Sequence, residues 1–216
     1  KNDPVGTLLE DSNNANLPAF PSSDIDWADI DDDGDLDLIV TGVYQNAQDR
    51  TVIFRNSPTG TLTEDAILSS NLRGGRGGAL TVGDYDNDGD PDIVVTGFDA
   101  LVSFEPILKL YKNNSLIFNE EVLSIIEGNG IDFSTVSLVD IDGDGDIELI
   151  ALGRKKFDES TFLASATVYG NVSARNNPNS APQEVSGLTA KIVGGTVTLT
   201  WSPTIDFPIG DPNRDS

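Results

Sequence analysis

Apolar and polar residues alternate at three places along the chain, at Ile25/Trp27, Leu80/Val82 and Val136/Leu138. A period of two puts each pair on one face of a β-strand. Beyond a polar stretch, each is followed by a uniformly apolar run ending in glycine: Leu38-Ile-Val-Thr-Gly42, Ile93-Val-Val-Thr-Gly97 and Leu149-Ile-Ala-Leu-Gly153. A third strand is predicted to close on asparagine, at Thr51-Val-Ile-Phe-Arg-Asn56, Leu108-Lys-Leu-Tyr-Lys-Asn113 and Thr167-Val-Tyr-Gly-Asn171. A short fourth is predicted in two cases, at Thr61-Leu-Thr63 and Leu116-Ile-Phe118.

The whole unit recurs after 55 and then 56 residues. Four short antiparallel strands repeated at that period predict an all-β fold built from β-propeller blades. Lys1-Asn2-Asp-Pro-Val-Gly-Thr-Leu8 matches Arg55-Asn56-Ser-Pro-Thr-Gly-Thr-Leu62, so the chain is expected to begin at the end of a blade. The strand Thr7-Leu-Leu9 is a candidate to complete the last one. Propellers typically close with about 4–8 blades, so about three make a partial propeller, and the chain is expected to be a fragment. Residues 1–173 are assigned to the blades, 174–182 to a polar, proline-bearing linker, and 183–216 to the start of a second β-domain. In that domain Ser186-Gly-Leu-Thr-Ala190 and Thr196-Val-Thr-Leu-Thr-Trp201 read as two strands of a truncated β-sandwich.

The polar stretches between the first and second strands carry the chemistry. They read Asp29-Ile-Asp31-Asp-Asp33-Gly34-Asp35-Leu-Asp37, Asp84-Tyr-Asp86-Asn-Asp88-Gly89-Asp90-Pro-Asp92 and Asp140-Ile-Asp142-Gly-Asp144-Gly145-Asp146-Ile-Glu148. Carboxylates fall at loop positions 1, 3, 5 and 9, with glycine at position 6. Several oxygens converging from a tight turn suit a hard cation, and a flexible all-oxygen set suits Ca2+ better than Mg2+. The expected ligands are the side chains at those four positions and the backbone carbonyl of position 7, at Asp35, Asp90 and Asp146. Gly34, Gly89 and Gly145 are expected at positive φ. Glu148 lengthens the arm at position 9 of the third loop without ranking the three sites. An EF-hand needs a bidentate glutamate at position 12 and flanking helices. Position 12 is Val40, Val95 or Ala151 and both flanks read as strands, which excludes it.

Composition narrows the function further. The 216 residues include 36 acids and 13 bases, for a formal charge of −23, which disfavours nucleic acid and anionic membranes as partners. The three loops hold 16 of the 36 acids, so three divalent cations would neutralise only part of that charge. Cysteine and histidine are absent, which excludes disulfides, thiolate chemistry and the His-dependent nucleophilic triads. No apolar run reaches the roughly 18 residues of a transmembrane helix. Methionine is also absent, position 1 included, as in a processed segment.

Lesser motifs read as structure. Arg73-Gly-Gly-Arg-Gly-Gly78 is taken as the loop leading into a first strand. Trp27 aligns with Val82 and Leu138 and is expected in the core. Arg154-Lys155-Lys156 reads as a surface loop. Asn113-Asn-Ser115 and Asn171-Val-Ser173 match glycosylation acceptors, a short pattern frequent by chance.

The threefold Asp-x-Asp-x-Asp-Gly-x-x-Asp/Glu signature with its strand flanks resembles the FG-GAP (VCBS-type) repeat, the calcium-loop blade of integrin α propellers. The resemblance spans roughly residues 1–171, with Pro91 inside the second loop as a departure. Ala181-Pro182, Gly187-Leu188 and Leu199-Thr-Trp201 resemble the start of a fibronectin type III domain. The combination resembles large exported bacterial surface proteins. It implies a non-catalytic, calcium-stabilised propeller segment, secreted or at the bacterial cell surface. Its expected partners are a protein or glycan ligand, or other subunits of an export or surface assembly. The alternative is part of a secreted polysaccharide-active enzyme, a lyase or hydrolase.

Overall fold

The computed structural model describes residues 10–14, 16–45, 48–100, 105–121, 130–158, 160–171, 189–193 and 196–200. The chain divides into two compact units, Lys1–Val172 and Ser173–Ser216. No α-helix occurs among the described residues, and the fold is all-β.

The first sheet runs β1 (Asp24–Ala28), β2 (Asp37–Tyr44), β3 (Gln48–Arg55) and β4 (Thr63–Glu64), each antiparallel to the next. The second repeats it with β5 (Leu80–Gly83), β6 (Asp92–Asp99), β7 (Glu105–Asn113) and β8 (Phe118–Glu121). The third has β9 (Ile131–Val139), β10 (Glu148–Lys156) and β11 (Phe162–Tyr169). One residue pair, Ile107↔Ile131, joins the second and third sheets at their rims, so they count as a single seven-stranded sheet. The meander of short antiparallel strands is consistent with part of a β-propeller. The second unit contributes an antiparallel hairpin, β12 (Thr189–Val193) with β13 (Thr196–Thr200). The linker 174–182 and the predicted strand Thr7–Leu9 lie outside the described residues.

The fourth strands begin two residues later than predicted, because turns take up the residues in between. Gly60 N–H donates to the Ser57 carbonyl at 2.7 Å and Leu62 N–H to Asn14 Oδ1 at 2.9 Å. Ser115 and Leu116 take positive φ in a turn closed by Asn114 and Ile117.

Two cores lie between successive sheets, and a third, of Leu38, Val40, Tyr44, Val52 and Phe54, sits on the first sheet under Phe20 and Leu62. Ile39 and Ile53 of the first sheet pack with Ile93, Val95 and Tyr111 of the second. Val94 and Leu110 on the second sheet's other face pack with Val136, Leu149 and Ala151 of the third. The second sheet thus buries one face against its predecessor and the other against its successor.

That arrangement corrects the reading of Trp27. Val82 and Leu138, at the same offset, pack toward the preceding sheet. Trp27 and Ile25 point the same way from the first sheet and stay 45% and 54% exposed. The other face of β1 carries Asp24, Asp26 and Ala28. It meets β5, where Leu80 N–H and Val82 N–H donate to the Asp24 and Asp26 carboxylates at 3.0 Å. The same logic works in reverse on the third sheet. Ile53, Leu110 and Val168 occupy one register row, and the first two are buried while Val168 is 58% exposed.

One further reading changes. Arg154-Lys155-Lys156 is the end of β10 rather than a loop, past a bulge between Leu152 and Arg154. Arg154 pairs with the buried Asp132 through Nη2 at 2.7 Å, and Lys156 with Glu105 at 2.5 Å. Asn113 is fully buried at the end of β7, where a glycan cannot be attached.

Candidate metal centre

Each acidic loop is the turn of a hairpin, closed on itself by its own carboxylates. The first aspartate accepts two backbone N–H groups from across the turn. Asp29 takes those of Asp33 and Gly34 at 3.1 and 2.8 Å, and Asp84 those of Asp88 and Gly89 at 3.0 Å each. Asp140 takes those of Gly143 and Gly145 at 2.7 and 2.9 Å. The carboxylate at position 5 (Asp33, Asp88, Asp144) accepts the N–H of position 7 at 2.9–3.1 Å. The position-6 glycines sit at φ +89°, +97° and +87°, as the turn requires. Position 4 is also left-handed, in Asp32, Asn87 and Gly143, which are residue types that tolerate that region.

Three carboxylates converge in every loop, each with an oxygen within 4.8 Å of the others: Asp29, Asp31 and Asp33; Asp84, Asp86 and Asp92; Asp140, Asp142 and Glu148. Positions 1 and 3 are common to all, joined by position 5 in the first loop and position 9 in the other two. Asp37, Asp88 and Asp144 therefore stand outside the tightest clusters. Like charges about 4 Å apart repel by about 1 kcal/mol in water and about 4 kcal/mol at the effective dielectric near a protein surface. A cation relieves that repulsion. Asp31 Oδ1 and Asp86 Oδ1 are shut off from solvent with no hydrogen-bond partner, the condition of an oxygen shaped for a metal. The donor set is all oxygen and fits Ca2+.

Position 9 has a second task. Asp37 and Asp92 are almost wholly buried. Asp37 accepts the N–H groups of Ile30 and Asn56 at 3.3 and 2.7 Å, and Asp92 those of Tyr85 and Asn113 at 2.8 Å each. The Glu148 carboxylate takes Ile141 N–H at 2.9 Å. The first two carboxylates thus tie the loop, through backbone N–H groups, to the end of the third strand. Asn56 and Asn171 also donate through Nδ2 to the position-8 carbonyls of Leu36 and Ile147. The sequence showed these asparagines recurring but gave them no role.

At position 7, Asp90 Oδ2 caps Ser115 N–H at 2.7 Å. Asp146 Oδ1 accepts from Asn87 Nδ2 at 3.3 Å, and the same amide donates to the Gly145 carbonyl at 3.0 Å, linking the second loop to the third. Val40, Val95 and Ala151, at position 12, are buried in strands, consistent with the exclusion of an EF-hand.

Two basic residues at these sites had gone unnoticed. Arg55, last residue of β3, pairs with Asp31 and lies 3.7 Å from Asp37. Lys112, at the equivalent place in β7, pairs with Asp86 and lies 3.7 Å from Asp88. A basic residue just before the closing asparagine was the available signal.

Burial pushes Asp92 up to about 7 from the usual 3.8, against the two N–H groups that favour its charge, and neighbouring carboxylates add to the rise. Burial likewise raises Asp37, Asp84 and Asp88. A folded-state value above the unfolded one contributes stability that is present below about pH 4 and lost as pH rises toward 7. Without divalent cations the urea midpoint is therefore expected to be higher at pH 5 than at pH 8. Saturating calcium, which binds the charged form, should reverse the order. A cation-free midpoint that rises with pH would contradict this account.

Residues 29–95 match the FG-GAP-like repeat family, a span covering the first two loops and the strands between them. No curated protein and no solved structure gives a significant match to the chain. No helix among the described residues is long and apolar enough to cross a membrane.

Proposed function

We propose that this chain is a non-catalytic, calcium-stabilised segment of a β-propeller from a secreted or cell-surface protein, serving adhesion to a protein or glycan ligand. The observation that carries the reading is the recurrence of one carboxylate cluster at three hairpin turns, two of them with a buried oxygen left without a partner. The FG-GAP-like match over residues 29–95 supports an extracellular setting, where millimolar calcium suits loops of modest affinity. Calcium acts here as a strut. It neutralises each turn and fixes the hairpin between a blade's first two strands.

The non-catalytic reading gains support from the basic residues. Arg154 and Lys156, the nearest to an uncommitted base for a polysaccharide lyase, are engaged by Asp132 and Glu105.

Calorimetric titration of the calcium-free protein is expected to show three binding events. A ligand at a hundred times its Kd stabilises the fold by about 2.7 kcal/mol per site. At about 2–4 °C per kcal/mol for a chain of this size, each site should raise Tm by about 5–10 °C over the value in chelator. An unchanged Tm would defeat the structural role of calcium.

A further inference from the structure

The three loops are near-copies in their carboxylates but not in what approaches them from the third strand. Arg55 and Lys112 hold the same position, one residue before the closing asparagine, and each pairs with the position-3 aspartate of its own loop. These are the aspartates whose other oxygen is buried without a partner. In the third repeat the position belongs to Gly170, which carries no side chain.

We propose that Arg55 and Lys112 are resident counter-ions that compete with the divalent cation at the first two loops, and that Gly170 removes this competition from the third. This rests on the reading of the loops as calcium sites. A monovalent head beside the position-3 carboxylate partly neutralises it and must be displaced, or tolerated as a nearby like charge, when a divalent ion binds. The affinities are therefore graded, with the third loop filling first. The same side chains keep the first two hairpins partly neutralised as calcium falls, so the third hairpin depends most on the ion. The Asn87 bridge to Gly145 and Asp146 puts the tight site next to the second loop, so filling the third also orders its neighbour.

The test is calcium calorimetry on the full chain, comparing wild type with the double variant Arg55→Met, Lys112→Met and with Gly170→Lys. Methionine keeps most of the unbranched stem while removing the charge. Gly170 has open space around its missing Cβ, so a lysine fits there without displacing a neighbour. Wild type should show one tight and two weaker sites. A divalent ion feels a nearby like charge more strongly than a monovalent one does, so shifts of about three- to tenfold in Kd are expected. The double variant should tighten the two weak sites, and Gly170→Lys should weaken the tight one. Calcium binding that neither variant alters, or that only one alters, overturns the grading and leaves the calcium reading standing. A wild type that binds no calcium and melts alike with and without chelator overturns both.

Discussion

Gly75→Ala is expected to destabilise the protein at or beyond the upper end of the ~1–3 kcal/mol that overpacking usually costs. Gly75 lies in the segment that leads into β5 and is wedged between two sheets. Its N–H donates to Thr41 Oγ1 of β2 at 3.0 Å, while a Cβ would run into the Thr96 carbonyl of β6. Neither wall is a flexible side chain. Arg76 and Phe98 exchange backbone hydrogen bonds of 2.9 and 3.0 Å beside it, and Thr51 Oγ1 holds the Arg73 carbonyl at 2.7 Å. Making room would break the contact between the first and second sheets. Gly77, at φ +63° in open space, is the internal control: Gly77→Asn should cost within about 1 kcal/mol, since asparagine tolerates that conformation. Urea unfolding of both variants decides the matter. A Gly75→Ala protein within ~0.5 kcal/mol of wild type, the scale of ordinary surface changes, would refute the wedge.

The second large effect is expected at Asp92. Its two oxygens satisfy Tyr85 N–H and Asn113 N–H in a fully buried position. Truncation to alanine strands both donors, at about 1–3 kcal/mol each, so Asp92→Ala should lose about 2–6 kcal/mol in cation-free buffer. Some of that loss is offset, because the variant no longer buries a charge among other carboxylates. Asp92→Asn keeps one acceptor oxygen and should retain about half of the stability lost by alanine. Both variants should weaken calcium binding at the second loop. An alanine variant as stable as wild type without calcium would mean that Asp92 serves the ion alone and does not tie the loop to β7.

Arg73-Gly-Gly-Arg-Gly-Gly78 acquires a function from the same geometry. It runs as the connection between sheets, with Gly74 passing close to the backbone of Arg50 and Gly75 and Gly78 close to that of Thr96. Arg76 Nε reaches the buried Asp49 at 3.0 Å, and Arg73 Nη1 stands 3.9 Å from the buried Asp99. Its place just before β5 is as the sequence predicts. The sequence could not show that strand backbone fills the space over Gly74, Gly75 and Gly78.

The loops, the strands around them and the repeat period were legible because each is written locally. A period-two pattern specifies a strand face, glycine at position 6 specifies a left-handed turn, and carboxylates at fixed offsets converge wherever that turn forms. That such an all-oxygen cluster would suit a hard cation follows from the same local facts. What faces each strand is set by residues about 55 positions away, and that only the tertiary structure decided. Trp27 and Val82 share an offset and differ in burial because a sheet covers one and none of the described residues covers the other so fully. Arg55 and Lys112 look like ordinary charged strand ends until the hairpin folds back and sets them beside Asp31 and Asp86. Local spacing determined where the carboxylate clusters would form, and long-range packing determined which charges stand beside each.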